Sequence, residues 1–316
     1  TRYFCQSEWK IGNLGTSNPI DKARAVVNRF TLQAHVGTVA ESRAGECAPF
    51  AIAAGIRGEG MSRYAILSDL HGNIFAMQAV LARLGELDVD ALLCLGDIVG
   101  YGPHPGECID LVVKYCSHIV LGNHDRAVVD PETADAFNGA AREAIYWTRD
   151  SLGPLHLSAL NQLRPVEYVG EHNSIQLVHD CPYPCPTDYV HDKNVAALAF
   201  RGVDAHICLI GHTHVPMVFE APTREPESEL TAVDLTAYLP SPKSEIALEP
   251  GRRYICNPGS VGQPRDCDPR ASFAVLDTAA RTFTVFREEY DIAAAQAATQ
   301  QAGLPMVLAD RLAIGA

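Results

Sequence analysis

The stretch Tyr64-Ala65-Ile66-Leu67-Ser68-Asp69-Leu70-His71-Gly72-Asn73 is an apolar run that ends in a carboxylate and an imidazole two residues apart. A short continuous apolar run reads as a strand buried on both faces. Successive strand side chains point to opposite faces, so residues two apart share one. On this reading Asp69 and His71 leave the carboxyl end of the strand and aim at one small volume. Gly72 permits a sharp turn there, and Asn73 is placed to cap the helix expected to follow. An isolated Asp-x-His pair is a weak sign of a metal site, because satisfied surface Asp and His residues are commoner.

The pattern of polar ligand types behind an apolar strand recurs four times. It stands at Leu95-Gly96-Asp97, Leu121-Gly122-Asn123-His124-Asp125, Val178-His179-Asp180 and Ile210-Gly211-His212-Thr213-His214. Taken singly, Asp97 and Asn123 read as turn formers beside glycine, His179 as a satisfied buried histidine, and His212 and His214 as an ordinary strand-end pair. In open sheets, however, ligand sites collect outside the carboxyl ends of the strands. Five such ends offer Asp69, His71, Asp97, Asn123, His179, His212 and His214 to one place. A shared metal centre accounts for them better than five coincidences.

The donor set defines the metal. Two carboxylates, one amide oxygen, four imidazoles and no thiolate suit a hard-to-borderline divalent ion, Mn²⁺ first and Fe, Zn²⁺ or Ni²⁺ after it. Seven ligands suit two ions with one carboxylate bridging. Two ions about 3.5–4 Å apart form a clamp for in-line displacement at phosphorus.

Around these ends the chain alternates. Apolar residues at helical spacing predict helices over 74–87, 105–115, 140–151 and 157–163. Apolar runs predict strands over 91–95 and 118–121, giving a βαβ layout. Further strands are predicted at 166–169, 174–178, 205–210, 253–256, 272–276 and 282–287. Two short helices, 292–302 and 304–312, are expected at the end. Segment 220–251, rich in Pro, Glu, Ser and Thr, is predicted to be a loop insertion with little structure of its own. Residues 1–60 show no sustained period beyond one short possible helix over 21–30. They are expected to be a disordered or non-native extension, with Met61 as the natural start of a single domain over 61–316.

Across the 316 residues, 47% are hydrophobic and 20% charged, as in a soluble globular protein. The formal net charge of −13 argues against stable nucleic-acid binding or an anionic membrane surface. No apolar run is long enough to span a bilayer. The ten cysteines are scattered, several in expected core strands, which reads as reduced thiols in a cytoplasmic protein. Cys181 and Cys185, in Cys-Pro-Tyr-Pro-Cys, lack the second pair that a zinc site needs and are assigned a structural or incidental role.

Asp69-x-His71, Gly96-Asp97, Gly122-Asn123-His124-Asp125, His179 and Gly211-His212-Thr213-His214 resemble, in order, the five signature blocks of the calcineurin-like metallophosphoesterases. Asn257-Pro258-Gly259-Ser260-Val261-Gly262 and the run from Gly96 to Pro103 resemble that family's compact bacterial and archaeal phosphodiesterase branch. The resemblance implies an αββα sandwich of two facing mixed β-sheets, an α/β fold. It implies that Asp69, His71 and His214 hold one ion, that Asn123, His179 and His212 hold the other, and that Asp97 bridges. A hydroxide between the ions would be the nucleophile. His124 would protonate the leaving oxygen or stabilise the phosphoryl group, with Asp125 orienting it. The expected substrate is a small phosphodiester, phosphomonoester or nucleotide. Relatives also suggest dinucleoside polyphosphates, phosphoserine or phosphothreonine, and a non-catalytic scaffold. Asn73, Arg126 and Arg265 are candidate contacts for phosphate oxygens. Asp180 stands where the family often has Gly.

Overall fold

The computed structural model describes residues 62–185, 187–223 and 230–316. The expectations for 1–60 and for Met61 lie outside the described residues.

In chain order the main elements are β1 (Arg63–Leu67), α1 (Ile74–Leu84), β2 (Ala91–Cys94), α2 (Pro105–Tyr115), β3 (Cys116–Ile119), α3 (Asn123–Val129), α4 (Gly139–Ser151) and α5 (Pro154–Asn161). They continue as β4 (Val166–Val169), β5 (Ile175–Val178), α6 (Lys193–Ala199), β6 (Ile207–Leu209), β7 (Pro216–Pro222), β8 (Thr236–Tyr238) and β9 (Glu245–Ala247). The rest are β10 (Arg252–Pro258), β11 (Ala271–Asp277), β12 (Thr282–Glu288), α7 (Ile292–Gln301) and α8 (Met306–Asp310).

The strands form two mixed six-stranded sheets, in the orders β3-β2-β1-β11-β12-β9 and β4-β5-β6-β10-β7-β8. In the first, β1, β2 and β3 run parallel, as the βαβ reading requires, and β11 returns antiparallel beside β1. In the second, β5, β6 and β10 run parallel.

The period-two alternation of the strands builds the layers. Ile66, Leu93, Ala274, Leu276 and Phe283 point inward and meet Leu177, Leu209, Val218, Tyr254 and Cys256 of the second sheet. Ala65, Leu67, Leu92, Phe273 and Val275 point outward, where α1 and α2 cover them with Met77, Val80, Leu84, Ile109 and Val112. On the far side α6 covers Cys208, Phe219 and Ile255. The result is helix, sheet, sheet, helix.

One expectation needs correction. Segment 220–251 starts inside β7 and then contributes β8 and β9, one at the outer edge of each sheet. Tyr238 on β8 lies opposite Val218, and its hydroxyl donates to Glu220 Oε2 at 2.9 Å. Three-residue edge strands bury little, so their sequences stay polar and read as loop. Two helices, α3 and α6, and strand β7 were also not foreseen. In α3 the short Leu121-Gly122 turn hides the helix, whose start is fixed where Asp125 Oδ2 accepts from the Gly122 N–H at 3.1 Å.

Candidate metal centre

The loops behind β1 and β2 are zipped together by their backbones. Asp69 N–H donates to Gly96 O at 3.0 Å, His71 N–H to Asp97 O at 2.9 Å, and Gly72 N–H to Ile98 O at 2.9 Å. β1 itself stops at Leu67, so Asp69 and His71 do not share a strand face. They converge for a different reason, because both lie in the left-handed region, with φ of 54° and 50°. Asp97 (50°), His212 (67°) and His214 (61°) do the same. Asp and His tolerate this conformation better than most residues. Each such residue still costs on the order of 1–3 kcal/mol and survives only where its surroundings enforce it.

Asn257 on β10 supplies part of that enforcement. Its Nδ2 donates to Gly211 O at 2.6 Å and to Thr213 Oγ1 at 3.0 Å, clamping the turn that carries His212 and His214. Ser260 Oγ donates to Asp69 O at 2.8 Å and ties in the first loop. A Cβ on Gly122 would lie 2.1 Å from Asp97 Oδ1, and one on Gly211 would lie 2.0 Å from Ser68 Oγ. Both glycines are therefore space requirements.

The ligand atoms gather in two groups: Asp69, His71, Asp97 and His214, and Asp97, His179 and His212, each group within 4.8 Å of itself. All six of these residues are buried, and Asp97 belongs to both groups. Asn123 joins the second, with Oδ1 3.0 Å from His179 Nε2. All seven residues expected to be ligands thus meet.

Backbone carbonyls set the tautomers. The Nδ1–H of His71 donates to Val99 O at 3.1 Å, that of His179 to Leu95 O at 2.8 Å, and that of His214 to Gln263 O at 2.6 Å. A carbonyl only accepts, so Nε2 is the atom each ring presents to the cluster. His71 Nε2 and His214 Nε2 then face each other at 3.1 Å, 3.6 Å from Asp97 Oδ2 and 3.2 Å from Asp69 Oδ1 respectively. Burial pushes both rings below the usual imidazole range, so both are neutral acceptors. Two opposed lone pairs beside two carboxylates, with no donor between them, fit a cation.

The remaining charges are set by the same neighbours. Burial works against both carboxylates, but the charge of the neighbouring His179, which acts on both, helps to hold them well below the usual carboxylate range. Burial likewise opposes charge on His179, yet the adjoining Asp97 holds its proton up to about 10. His212, desolvated and next to His179, is pushed down to about 3.

His124 is 3% exposed and packs its ring against Tyr101, His71 and Phe137. Its Nδ1 is buried without a hydrogen-bond partner, and burial lowers its pKa to about 4. Asp125 does not orient this ring. Its Oδ1 accepts from the N–H groups of Ile98 and Val99, at 2.9 and 3.1 Å, and its Oδ2 accepts from Gly122. It is a brace for the Asp97 loop. Burial, with the neighbouring Asp97 charge, raises its carboxyl to about 7.

The three candidate phosphate contacts differ. Asn73 caps α1, accepting from Ala76 N–H at 3.2 Å, and donates to Gly262 O at 2.9 Å, so its amide is committed within the protein. Arg126 is exposed on α3 and acts electrostatically on Asp180, whose carboxyl is raised by burial. Arg265 Nη2 bonds Gln263 Oε1 at 3.0 Å and Tyr101 Oη at 3.4 Å, while its Nε is buried without a partner. Its charge also reaches His124 and His214.

Sequence reading missed several residues that shape the site. Tyr101 lies against both His71 and His124, and Tyr189 stacks on His212 with ring centroids 4.1 Å apart. Tyr101 had a signal in its flanking glycines; Tyr189 had none.

A buried Asp/His cluster at the strand ends of two stacked mixed sheets is the architecture of a metallophosphoesterase. The calcineurin-like phosphoesterase superfamily domain matches residues 63–281, and the chain belongs to that superfamily. It is 32% identical over 263 residues to an uncharacterized protein of Methanocaldococcus jannaschii, covering 80% of this chain and 98% of that one. A metallophosphoesterase from Sphaerobacter thermophilus has a similar structure, at 39% identity and a TM-score of 0.68, over 81% of this chain and all of that one. A hypothetical protein of Pyrococcus horikoshii shares the fold at 18% identity and a TM-score of 0.61, over 80% and 98% of the two chains. Among the described residues no helix is long and apolar enough to cross a membrane.

Proposed function

We infer that the chain hydrolyses small phosphodiesters or phosphomonoesters with two divalent ions, Mn²⁺ first among the candidates. The observation that carries this reading is the place of Asp97 in both ligand groups, which makes it the natural bridge. Asp69, His71 and His214 would hold one ion, and Asn123, His179 and His212 the other. Two such ions supply a lowered pKa for bound water and neutralise charge developing on phosphoryl oxygens.

The chain's own residues do the rest. The carbonyls of Val99, Leu95 and Gln263 keep three imidazoles aimed inward before substrate arrives. His124, desolvated and beside the cluster, is placed to donate a hydrogen bond or proton to a phosphoryl or leaving oxygen. Arg265 brings a fixed positive charge to the same side, suited to an anionic ester.

The test is metal analysis of the purified protein followed by turnover of p-nitrophenyl phosphate and bis-p-nitrophenyl phosphate. Hydrolysis is expected to vanish on chelation and to return with Mn²⁺. Full activity in the metal-stripped protein would refute the reading.

A further inference from the structure

The motif Cys181-Pro182-Tyr183-Pro184-Cys185 has no part in the proposed chemistry, yet it begins two residues after His179. The two sulfurs lie 2.8 Å apart, and both cysteines are half-buried. A disulfide bond is about 2.05 Å long, so closure needs a movement of less than an ångström.

The loop around the pair is tied down. Cys181 N–H donates to Asp188 O at 3.2 Å, and the Pro182 carbonyl lies so near Gly202 that a Cβ there would sit 2.0 Å from it. Pro182 and Pro184 fix two of the three intervening φ angles, which holds the sulfurs in register. Four positions beyond Cys185 in the sequence, Tyr189 stacks on His212. His179, two residues before the pair, and His212, under the Tyr189 ring, belong to the same ligand group.

We propose that Cys181 and Cys185 are a redox-modification site, a dithiol that closes to a disulfide and thereby alters the grip of His179 and His212 on their ion. The oxidant is a hydroperoxide. One thiol attacks its oxygen to give a sulfenic acid and water or alcohol, and the second thiol displaces that hydroxyl as water, forming the S–S bond. Two thiol protons and two electrons leave the protein, and a dithiol reductant returns them by exchange. A ring this short removes little chain entropy from the unfolded state, so the fold does not depend on its closure.

The experiment takes the full chain, reduced, then treated with hydrogen peroxide, alkylated, digested and mapped by mass spectrometry. A Cys181–Cys185 link, two hydrogens lighter and reversed by dithiothreitol, is expected before exposed Cys267 is consumed. Oxidation of Cys267 with both loop cysteines still alkylated, or a link from Cys181 to Cys208, would overturn the proposal. Cys185→Ser should abolish the link, and the wild-type mapping decides the matter without that variant. The second arm rests on the metal reading: Mn²⁺ titrated into both redox forms should show a several-fold difference in affinity, absent in Cys185→Ser. Equal affinities with the disulfide formed would overturn the coupling. A chain that binds no Mn²⁺ in either form refutes the metal centre, and the mapping then decides the disulfide alone.

Discussion

Asp125 and His71 meet at the backbone of a single residue, Val99. The carboxylate of Asp125 accepts the N–H of Val99 at 3.1 Å, and the carbonyl of the same Val99 accepts from His71 Nδ1 at 3.1 Å. Removing the carboxylate leaves three buried backbone donors unpaired, each worth about 1–3 kcal/mol when orphaned. Asp125→Ala should therefore lower Tm sharply and weaken metal binding about 10–100-fold, the range for a partner behind a ligand. Thermal melts and Mn²⁺ titration check both. If Asp125 acted through His124 instead, turnover would fall with stability and affinity intact.

The place of Asp97 in both ligand groups makes a stoichiometric prediction. Asp97→Ala should lose both ions and reduce turnover by more than about 100-fold, beyond the loss seen for groups that only support a ligand. His124→Ala should lose turnover while keeping its metal, because His124 lies outside both ligand groups. Metal content by plasma spectrometry alongside ester hydrolysis separates the two.

Metal should also appear in stability. Two buried carboxylates and opposed imidazoles are relieved by a bound cation, which binds the folded state alone. At a free Mn²⁺ concentration near 100 times Kd the gain is about 2.7 kcal/mol per site. Scanning calorimetry with added Mn²⁺ and with a chelator should give a higher Tm in the former.

Two glycines make opposite predictions. In Gly122→Ala the new Cβ meets the Asp97 backbone nitrogen at 2.2 Å, so Asp97 must move and both stability and metal affinity should drop. Gly139 begins α4 with nothing within 4 Å of an added Cβ, so Gly139→Ala should stabilise by about 0.5–1 kcal/mol. Denaturant midpoints measure both.

Asp192 caps α6, its carboxylate accepting from the N–H groups of Asn194 and Val195 at 2.7 and 3.0 Å. Those bonds lower its pKa from 3.8. A depressed carboxyl stabilises the fold above its unfolded pKa and loses that contribution as pH falls through the folded one. Asp192→Ala should cost about 1 kcal/mol at pH 7. The gap to wild type should narrow only below pH 4, as paired melts at the two pH values would show.

The five strand ends were legible because each joins an apolar run to ligand-type residues, a local pattern. Why Asp69 and His71 converge was not legible, since it depends on left-handed turns held by the 96–98 backbone. Asp125 was misread for a related reason: adjacency to His124 in sequence suggested a partner, while the helix sends its carboxylate back to Gly122, Ile98 and Val99. Strands β8 and β9 carry almost no apolar signal and exist by pairing with β7 and β12. Tyr189 reaches His212 from 23 residues upstream, with no motif to mark it.

The left-handed conformations at Asp69, His71, Asp97, His212 and His214 have a kinetic consequence. Turns pinned in this way by backbone hydrogen bonds leave the donors little freedom to rearrange, so exchange of one ion for another would need no refolding of the loops around them. A frame this stiff also adjusts poorly to ionic radius. Discrimination between divalent metals then falls to the size of the aperture and to supply, rather than to the general affinity order of those metals.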